Sequence, residues 1–372
     1  MSPALTAYVK GPIFDGSMVH ENHAALFKNG HLHRIVPDTD LDADTACVDL
    51  NGDILSPGFT DLQVNGGGGV MLNDEPSVHT IRRISAAHRT LGTVALLPTL
   101  ITDTAEKTLA AIDAVETAVA ENVPGVAGLH LEGPHLSIAR KGAHDAAYIR
   151  PMDDTDIEAL LKAARSLPAL MVTVAPESVT KEQVASLRAA GVIVSLGHTD
   201  ADYKMCREYI AVGAHCATHL FNAMSQLGNR EPGLVGAVLG SRDVSSGLIA
   251  DGIHVHPEVM RTAWAAKTGP GEIFLVSDAM AVAGTEEKHF ELGGRKIHRS
   301  GGRLTLGDGT LAGADLDLVT AVRVLVNDVG VELGRALRAA TTVPDAVIGR
   351  NAQKDVGSFI RISSDLTGVS PL

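Results

Sequence analysis

A rhythm constrains this chain more than any other feature: short apolar, β-branched runs recur along it, and most end in a residue able to bind a metal or move a proton. The runs are GFTDLQVNG (58–66), TVALLPT (93–99), GVAGLHLEG (125–133), LMVTVAPE (170–177), GVIVSLGHT (191–199), HCATHLFN (215–222), LIADGIH (248–254) and IFLVSDAM (273–280). Runs of this length and apolar density read as parallel strands buried on both faces. Helix-like segments separate them, at 77–91, 104–121, 153–166, 181–190, 202–212, 257–267, 316–328 and 332–341, and Asp200 and Asp202 are capping candidates before YKMCREYIAVG. Eight such strands predict an α/β fold, a closed (β/α)8 TIM-like barrel whose active site lies at the carboxyl ends of the strands. The polar residues near those ends, Gln63, Asn65, Glu132, Glu177, His198, His219, His254 and Asp278, therefore read as chemistry rather than stability.

Residues 1–56 follow another pattern. Short alternating stretches such as AALFKNGHLHRIV (24–36) sit among Gly and Asp turn signals. With the tail 346–372 returning beside them, they predict a small β-rich domain, leaving 57–345 for the barrel. Aromatics are only 3% of the chain against 45% hydrophobic residues overall, so Ala, Val and Leu must build the core. A net charge of −13 argues against nucleic acid or an anionic membrane as partner, though not against an anionic small molecule held by local cations. Cys47, Cys206 and Cys216 show no CxxC spacing, and neither a signal-peptide pattern nor a membrane-length apolar run is present. A reduced, cytoplasmic protein is the expectation. Met205, Cys206 and Cys216 are expected in the core, and His79, His88, His289 and His298 at the surface. The excursion 284–315 predicts a β-hairpin or a mobile loop near the site, and the glycine run 66–69 a flexible turn after the first strand.

Glu132, His198 and His219 form the principal constellation. One carboxylate and two imidazoles suit a catalytic divalent ion with a position left for water. They lie 66 and 21 residues apart, so only a barrel could gather them. Any one of these histidines alone would read as an ordinary loop residue; the trio at strand ends does not. Asp278 could move a proton to and from a metal-activated water. His144, in KGAHD, could polarise a carbonyl. Arg230 and His254 suit an anionic substrate group, although Arg230 in NREPG also reads as a plain surface charge.

With these residues in place the chain resembles the amidohydrolase superfamily and, within it, the N-acetylglucosamine-6-phosphate deacetylases. The stretches that carry the resemblance are PGFTDLQVNGGGG, LHLEGPHLS with KGAHD, SLGHTDADY, ATHLFNAMSQLGNREPGLVG, IADGIHVHP and LVSDAMAVAG, in family order. The resemblance implies hydrolysis of the acetamide of a phosphorylated amino sugar, yielding acetate and the free amine. It implies Glu132, His198 and His219 as metal ligands and Asp278 and His144 as catalytic groups. Ala143, His144, Asn222, Ala223, Arg230 and His254 become substrate contacts. His254 in relatives can come from the neighbouring subunit, which implies a homodimer.

One departure is informative. Where the superfamily's first strand ends in His-x-His, this chain has Gln63 and Asn65, neutral amides that are poor ligands for zinc. No lysine ends LMVTVAPE. One divalent ion per subunit is therefore expected, with zinc first and iron, manganese, cobalt or nickel as alternatives; Gln63 and Asn65 are vestigial first-metal positions. Two other readings stay open: another amidohydrolase, such as an N-acyl deacylase or a deaminase, and a catalytically silent barrel acting as a binding protein.

Overall fold

The computed structural model of the chain describes residues 5–351 and 355–372; the parts of the expected small domain at 1–4 and 352–354 lie outside them. The apolar runs become eight barrel strands: β1 (Phe59–Val64), β2 (Thr93–Ile101), β3 (Leu129–Glu132), β4 (Leu170–Val174), β5 (Ile193–Leu196), β6 (Cys216–Ala217), β7 (Ser245–Leu248) and β8 (Ile273–Leu275). Each pairs in parallel with the next, from β1 through to β8. Helices Val78–Thr90, Ala105–Ala120, Asp154–Ser166, Lys181–Ala189 and Tyr203–Ala211 follow the first five strands, and Pro257–Ala266 follows β7. The first five start where the sequence supplies a cap: the side chains of Ser77, Thr104, Asp153, Thr180 and Asp202 each accept the third N–H of their helix.

The seam between β1 and β8 is built differently from the rest of the barrel. A single parallel bridge, Val64 to Ala279, joins the two strand ends, with Asn65 N–H donating to Ala279 O at 2.9 Å. Below it the fully buried Asp61 carboxylate of β1 takes the place of a ladder carbonyl, its Oδ1 accepting the N–H of Ser277 and of Gln63, each at 3.2 Å. The closure is thus partly a side-chain one, and it lies directly beneath Gln63, Asn65 and Asp278.

At the other end of the chain's path, Ile54–Pro57 pairs with Phe359–Ile362, which pairs with Val369–Pro371, so the tail does return to the N-terminal segment. Leu5–Val9, His23–Lys28, His31–Pro37 and Ala46–Asp49 make a second small sheet. Among the described residues no helix is long and apolar enough to cross a membrane.

Several sequence expectations need correcting. β7 spans Ser245–Leu248 and meets the expected run 248–254 only at Leu248, because the small residues SSGL fit between two neighbouring strands without an apolar signature. The excursion 284–315 contains the expected β-hairpin, His289–Leu292 with Arg295–Ser300, and goes beyond it: Arg303–Thr305 and Leu311–Ala314 extend it into a four-stranded antiparallel sheet. The glycine run is only partly a turn: Gly68 and Gly69 make it, while Gly66 and Gly67 pair with Met71 and Val70, and a Cβ on Gly66 would fall 2.5 Å from Val70 O. His88 is buried, its Nε2 donating to Gly66 O at 2.9 Å, and Met205 is 39% exposed, on the outer face of its helix. Gly233–Leu239, a short buried helix inside REPGLVGAVLG, was hidden by its own glycines and proline.

The Asp61 seam gives a pH signature. Burial, the largest effect, raises its carboxyl from 3.8 to about 7; the Ser277 and Gln63 donors oppose this and the Asp278 charge adds to it. An acid whose pKa is raised by folding holds its proton more tightly in the folded state. Its contribution therefore favours folding at low pH and is lost as pH rises through about 7. Asp61→Asn, which keeps an acceptor oxygen and cannot titrate, should flatten the fall in Tm between about pH 4 and pH 7. Equal slopes in the two proteins would contradict this.

Candidate metal and active site

Three strand ends deliver the principal cluster. Glu132 closes β3, and His198 and His219 each stand two residues past the ends of β5 and β6. Their ligand atoms form a near-equilateral triangle: His198 Nε2 to His219 Nε2 is 3.0 Å, and each lies 3.1 Å from Glu132 Oε1. All three side chains are buried. His198 Nδ1 donates to Arg140 O at 2.8 Å, which leaves its Nε2 lone pair facing the other two atoms. Three electron-pair donors with edges near 3 Å are what an ion with bonds of roughly 2 Å spans, so the donor set fits a divalent cation. Burial opposes charge on both partners, yet the hydrogen bonds and mutual attraction win, holding Glu132 well below the usual carboxylate range and raising His219.

The backbone turns sharply to present these groups. His198, His219 and Asp278 have φ of 48°, 31° and 50°, the left-handed region that costs a non-glycine residue roughly 1–2 kcal/mol. The turn swings each side chain from the strand edge towards the barrel axis. Such strain persists where surrounding contacts over-determine it.

Asp278 sits beside the triangle, 9% exposed. Its Oδ1 accepts Asn65 Nδ2 at 2.7 Å and Gln63 Nε2 at 3.1 Å, so Oδ2 is the oxygen left for other work. Burial first, and the Glu132 charge second, raise its carboxyl to about 6, near where a proton shuttle is useful. Gln63 Nε2 also reaches both Glu132 oxygens at 3.1 Å. A single neutral amide thereby bridges two carboxylates that would otherwise repel each other.

His144 packs edge-to-face on His198, ring centroids 4.4 Å apart. Its Nδ1 accepts the Thr102 N–H at 3.3 Å, which assigns the proton to Nε2. Burial, and then the His198 charge, depress it to about 3, so it works as a neutral hydrogen-bond donor. On the β6 and β7 side, His254 gives its Nδ1 proton to the buried Asp251 at 2.6 Å, and Asp251 also accepts the N–H groups of Ile253 and His254. Asn65, Glu132, Ala143, His144, His198, His219, Asn222, Ala223, His254 and Asp278 line one cavity of about 380 Å3.

Two expectations change here. Arg230 is exposed and does not line the cavity, because its loop turns outward before the helix Gly233–Leu239. Glu177 also points away from the centre; it accepts the Asp200 N–H at 2.8 Å as a structural contact. Three residues that orient site groups carry no local sequence signal: Thr102 behind His144, Asp251 behind His254, and Asp61 at the seam. Nor did the sequence reveal His130, whose Nδ1 donates to Leu62 O while its Nε2 accepts from Thr173. Thr173, Thr218 and Ser195 continue that chain across β4, β6 and β5 beneath the cluster. Only the LHLE alternation, which turns His130 the same way as Glu132, pointed to it.

A (β/α)8 barrel carrying this cluster and an adjacent buried carboxylate at its mouth defines a metal-dependent hydrolase. Residues 54–358 match the amidohydrolase family and residues 5–55 the NagA composite domain. The chain belongs to the amidohydrolase family. It is 44% identical over 307 residues to N-acetylgalactosamine-6-phosphate deacetylase of Shewanella sp. (strain ANA-3), covering 82% of this chain and 77% of that protein. To N-acetylglucosamine-6-phosphate deacetylase of Haemophilus influenzae it is 34% identical over 329 residues, covering 87% and 85%. Among solved structures, N-acetylglucosamine-6-phosphate deacetylase of Pasteurella multocida superposes with a TM-score of 0.90 at 32% identity, covering 98% of this chain and 97% of that one. The Mycobacterium smegmatis enzyme, solved as an aspartate-to-alanine variant in complex with N-acetyl-D-glucosamine-6-phosphate, superposes at 0.89 with 29% identity, covering 99% and 97%.

Adding a divalent ion to chelated protein should raise Tm, since a ligand at 100 times its Kd stabilises by about 2.7 kcal/mol. The gain should shrink as pH falls, because the cluster must release the proton that His219 holds. His219→Ala should abolish the shift; an undiminished shift in that variant would contradict the assignment.

Proposed function

We propose that this chain hydrolyses the acetamide of N-acetylglucosamine 6-phosphate, releasing acetate and glucosamine 6-phosphate. The observation that carries the reading is Asp278 set against the Glu132–His198–His219 triangle, in a chain whose relatives by sequence and by structure are named for this deacetylation. Glu132, His198 and His219 would hold one divalent ion, zinc by their two imidazoles, and that ion would supply Lewis acidity at the acyl carbonyl and at water. Asp278 Oδ2 takes a proton from a water molecule as the water oxygen adds to the acyl carbon. His144 Nε2–H hydrogen-bonds the oxygen on which negative charge develops. Asp278 then gives the proton to the sugar nitrogen, and the carbon–nitrogen bond breaks.

Asn222, Ala223 and His254 are assigned to the phosphate end. The Ala223 N–H has no acceptor among the described residues, and Asp251 fixes the ring of His254. Binding energy from that end goes into orienting the amide. The homodimer remains part of the proposal. Exposed Ile138 and Tyr148 after β3, and Leu227 and Arg230 after β6, would be covered by a second copy.

A second reading has specific support: the 44% identical relative is named for the galacto epimer, so N-acetylgalactosamine 6-phosphate is a competing substrate. Acetate release from the two epimers by metal-loaded protein decides between them. Asp278→Asn should lower turnover by roughly 10²–10⁴ with metal content unchanged. Near-normal turnover in that variant would remove Asp278 from the mechanism.

A further inference from the structure

The antiparallel sheet spanning His289–Ala314 has no part in the chemistry above, yet Leu292, Thr310, Leu311 and Gly313 from it line the same cavity as the metal ligands. Leu292 belongs to one apolar cluster with Ile101 and Met280, against which Ala143 packs, and all four face the cavity. Two of these are chain neighbours of reacting groups. Ile101 precedes Thr102, which orients His144, and Met280 follows Asp278 by two residues.

The sheet is fixed in place rather than laid over the mouth. Ala314 N–H donates to Asp278 O at 2.9 Å, and Arg295 Nη2 donates to Ala143 O at 2.6 Å. Arg299 joins Asp315 at 2.8 Å to Thr285 O at 2.7 Å. A Cβ on Gly313 would come within 2.5 Å of the Met280 side chain, so this strand lies as close to Met280 as a backbone can.

We infer that Ile101, Met280 and Leu292 form an acyl pocket, and that the 289–314 sheet sets which N-acyl groups the enzyme accepts. The inference rests on the deacetylase reading. A secondary amide has two substituents besides its carbonyl oxygen. If the sugar phosphate runs towards Asn222, Ala223 and His254 after β6 and β7, the acyl chain must leave on the side of β8, β1 and β2. On that side Ile101, Met280 and Leu292 present apolar surface beyond Asp278, walled by the sheet. The reaction is the same hydrolysis: water oxygen joins the acyl carbon, the carbon–nitrogen bond breaks, and the nitrogen gains the proton.

The experiment compares kcat/KM for N-formyl, N-acetyl, N-propionyl and N-butyryl glucosamine 6-phosphate on metal-loaded protein. Each methylene buried against such a wall is worth roughly fourfold. The parent protein's kcat/KM should fall away at butyryl, where the wall is met. Leu292→Ala should raise the butyryl-to-acetyl ratio by roughly tenfold or more, and Leu292→Val by less. Metal content should be unchanged in both. Acetyl turnover with a butyryl-to-acetyl ratio unmoved in Leu292→Ala and in Met280→Ala would overturn the acyl pocket and leave the deacetylase reading standing. No acyl release by the parent protein from any of the four, in either the gluco or the galacto series, would overturn both.

Discussion

Burying a carboxylate in the mouth of a barrel is costly unless its lone pairs are met, and Glu132 meets that condition from three other strand ends at once. Imidazoles arrive from β5 and β6 and an amide from β1, all at 3.1 Å. Removing any of them leaves a buried charge under-compensated, a loss commonly of several kcal/mol. The same convergence makes the cluster a metal site, because the lone pairs have nowhere else to point. Structure and proposed chemistry here share a cause: closure of the barrel brings the donors together, and the cation or proton they share holds them there.

Gln63 and Asn65 complete that logic. At the end of β1 these two amides turn their N–H groups to Glu132 and Asp278. An amide offers part of a cation's compensation without its charge. Asp278 keeps a raised pKa beside an anionic neighbour, as a group that must both accept and return a proton requires. The Asp61 clamp sets the height of this arrangement, since it ties Ser277, next to Asp278, to the backbone of Gln63.

Much of this was legible from period and spacing. Seven of the eight strands, eight of the helices and the Glu132–His198–His219 cluster follow from apolar runs, caps and the rule that barrel chemistry gathers at strand ends. What escaped did so for physical reasons. β7 is written in serine and glycine, residues whose strand character comes from neighbours rather than from themselves. His88 looks like a surface residue of an amphipathic helix until the glycine strand packs over it and the Gly66 carbonyl accepts its hydrogen bond. Thr102, Asp251 and Asp61 act through groups far away in sequence or through turn geometry, and no local pattern marks them. Arg230 shows the converse: a residue carried over by resemblance, which the fold of this single chain leaves facing outward.

The central claim is that one ion sits among Glu132, His198 and His219 while Gln63 and Asn65 hold no second one. Anomalous diffraction from crystals grown with the divalent metal, recorded at that metal's absorption edge, tests it directly. The account predicts one peak per chain, bonded to His198 Nε2, His219 Nε2 and a Glu132 oxygen, with the Gln63 amide still on Asp278. A second peak beside Gln63 and Asn65, or a peak away from the triangle, would contradict it.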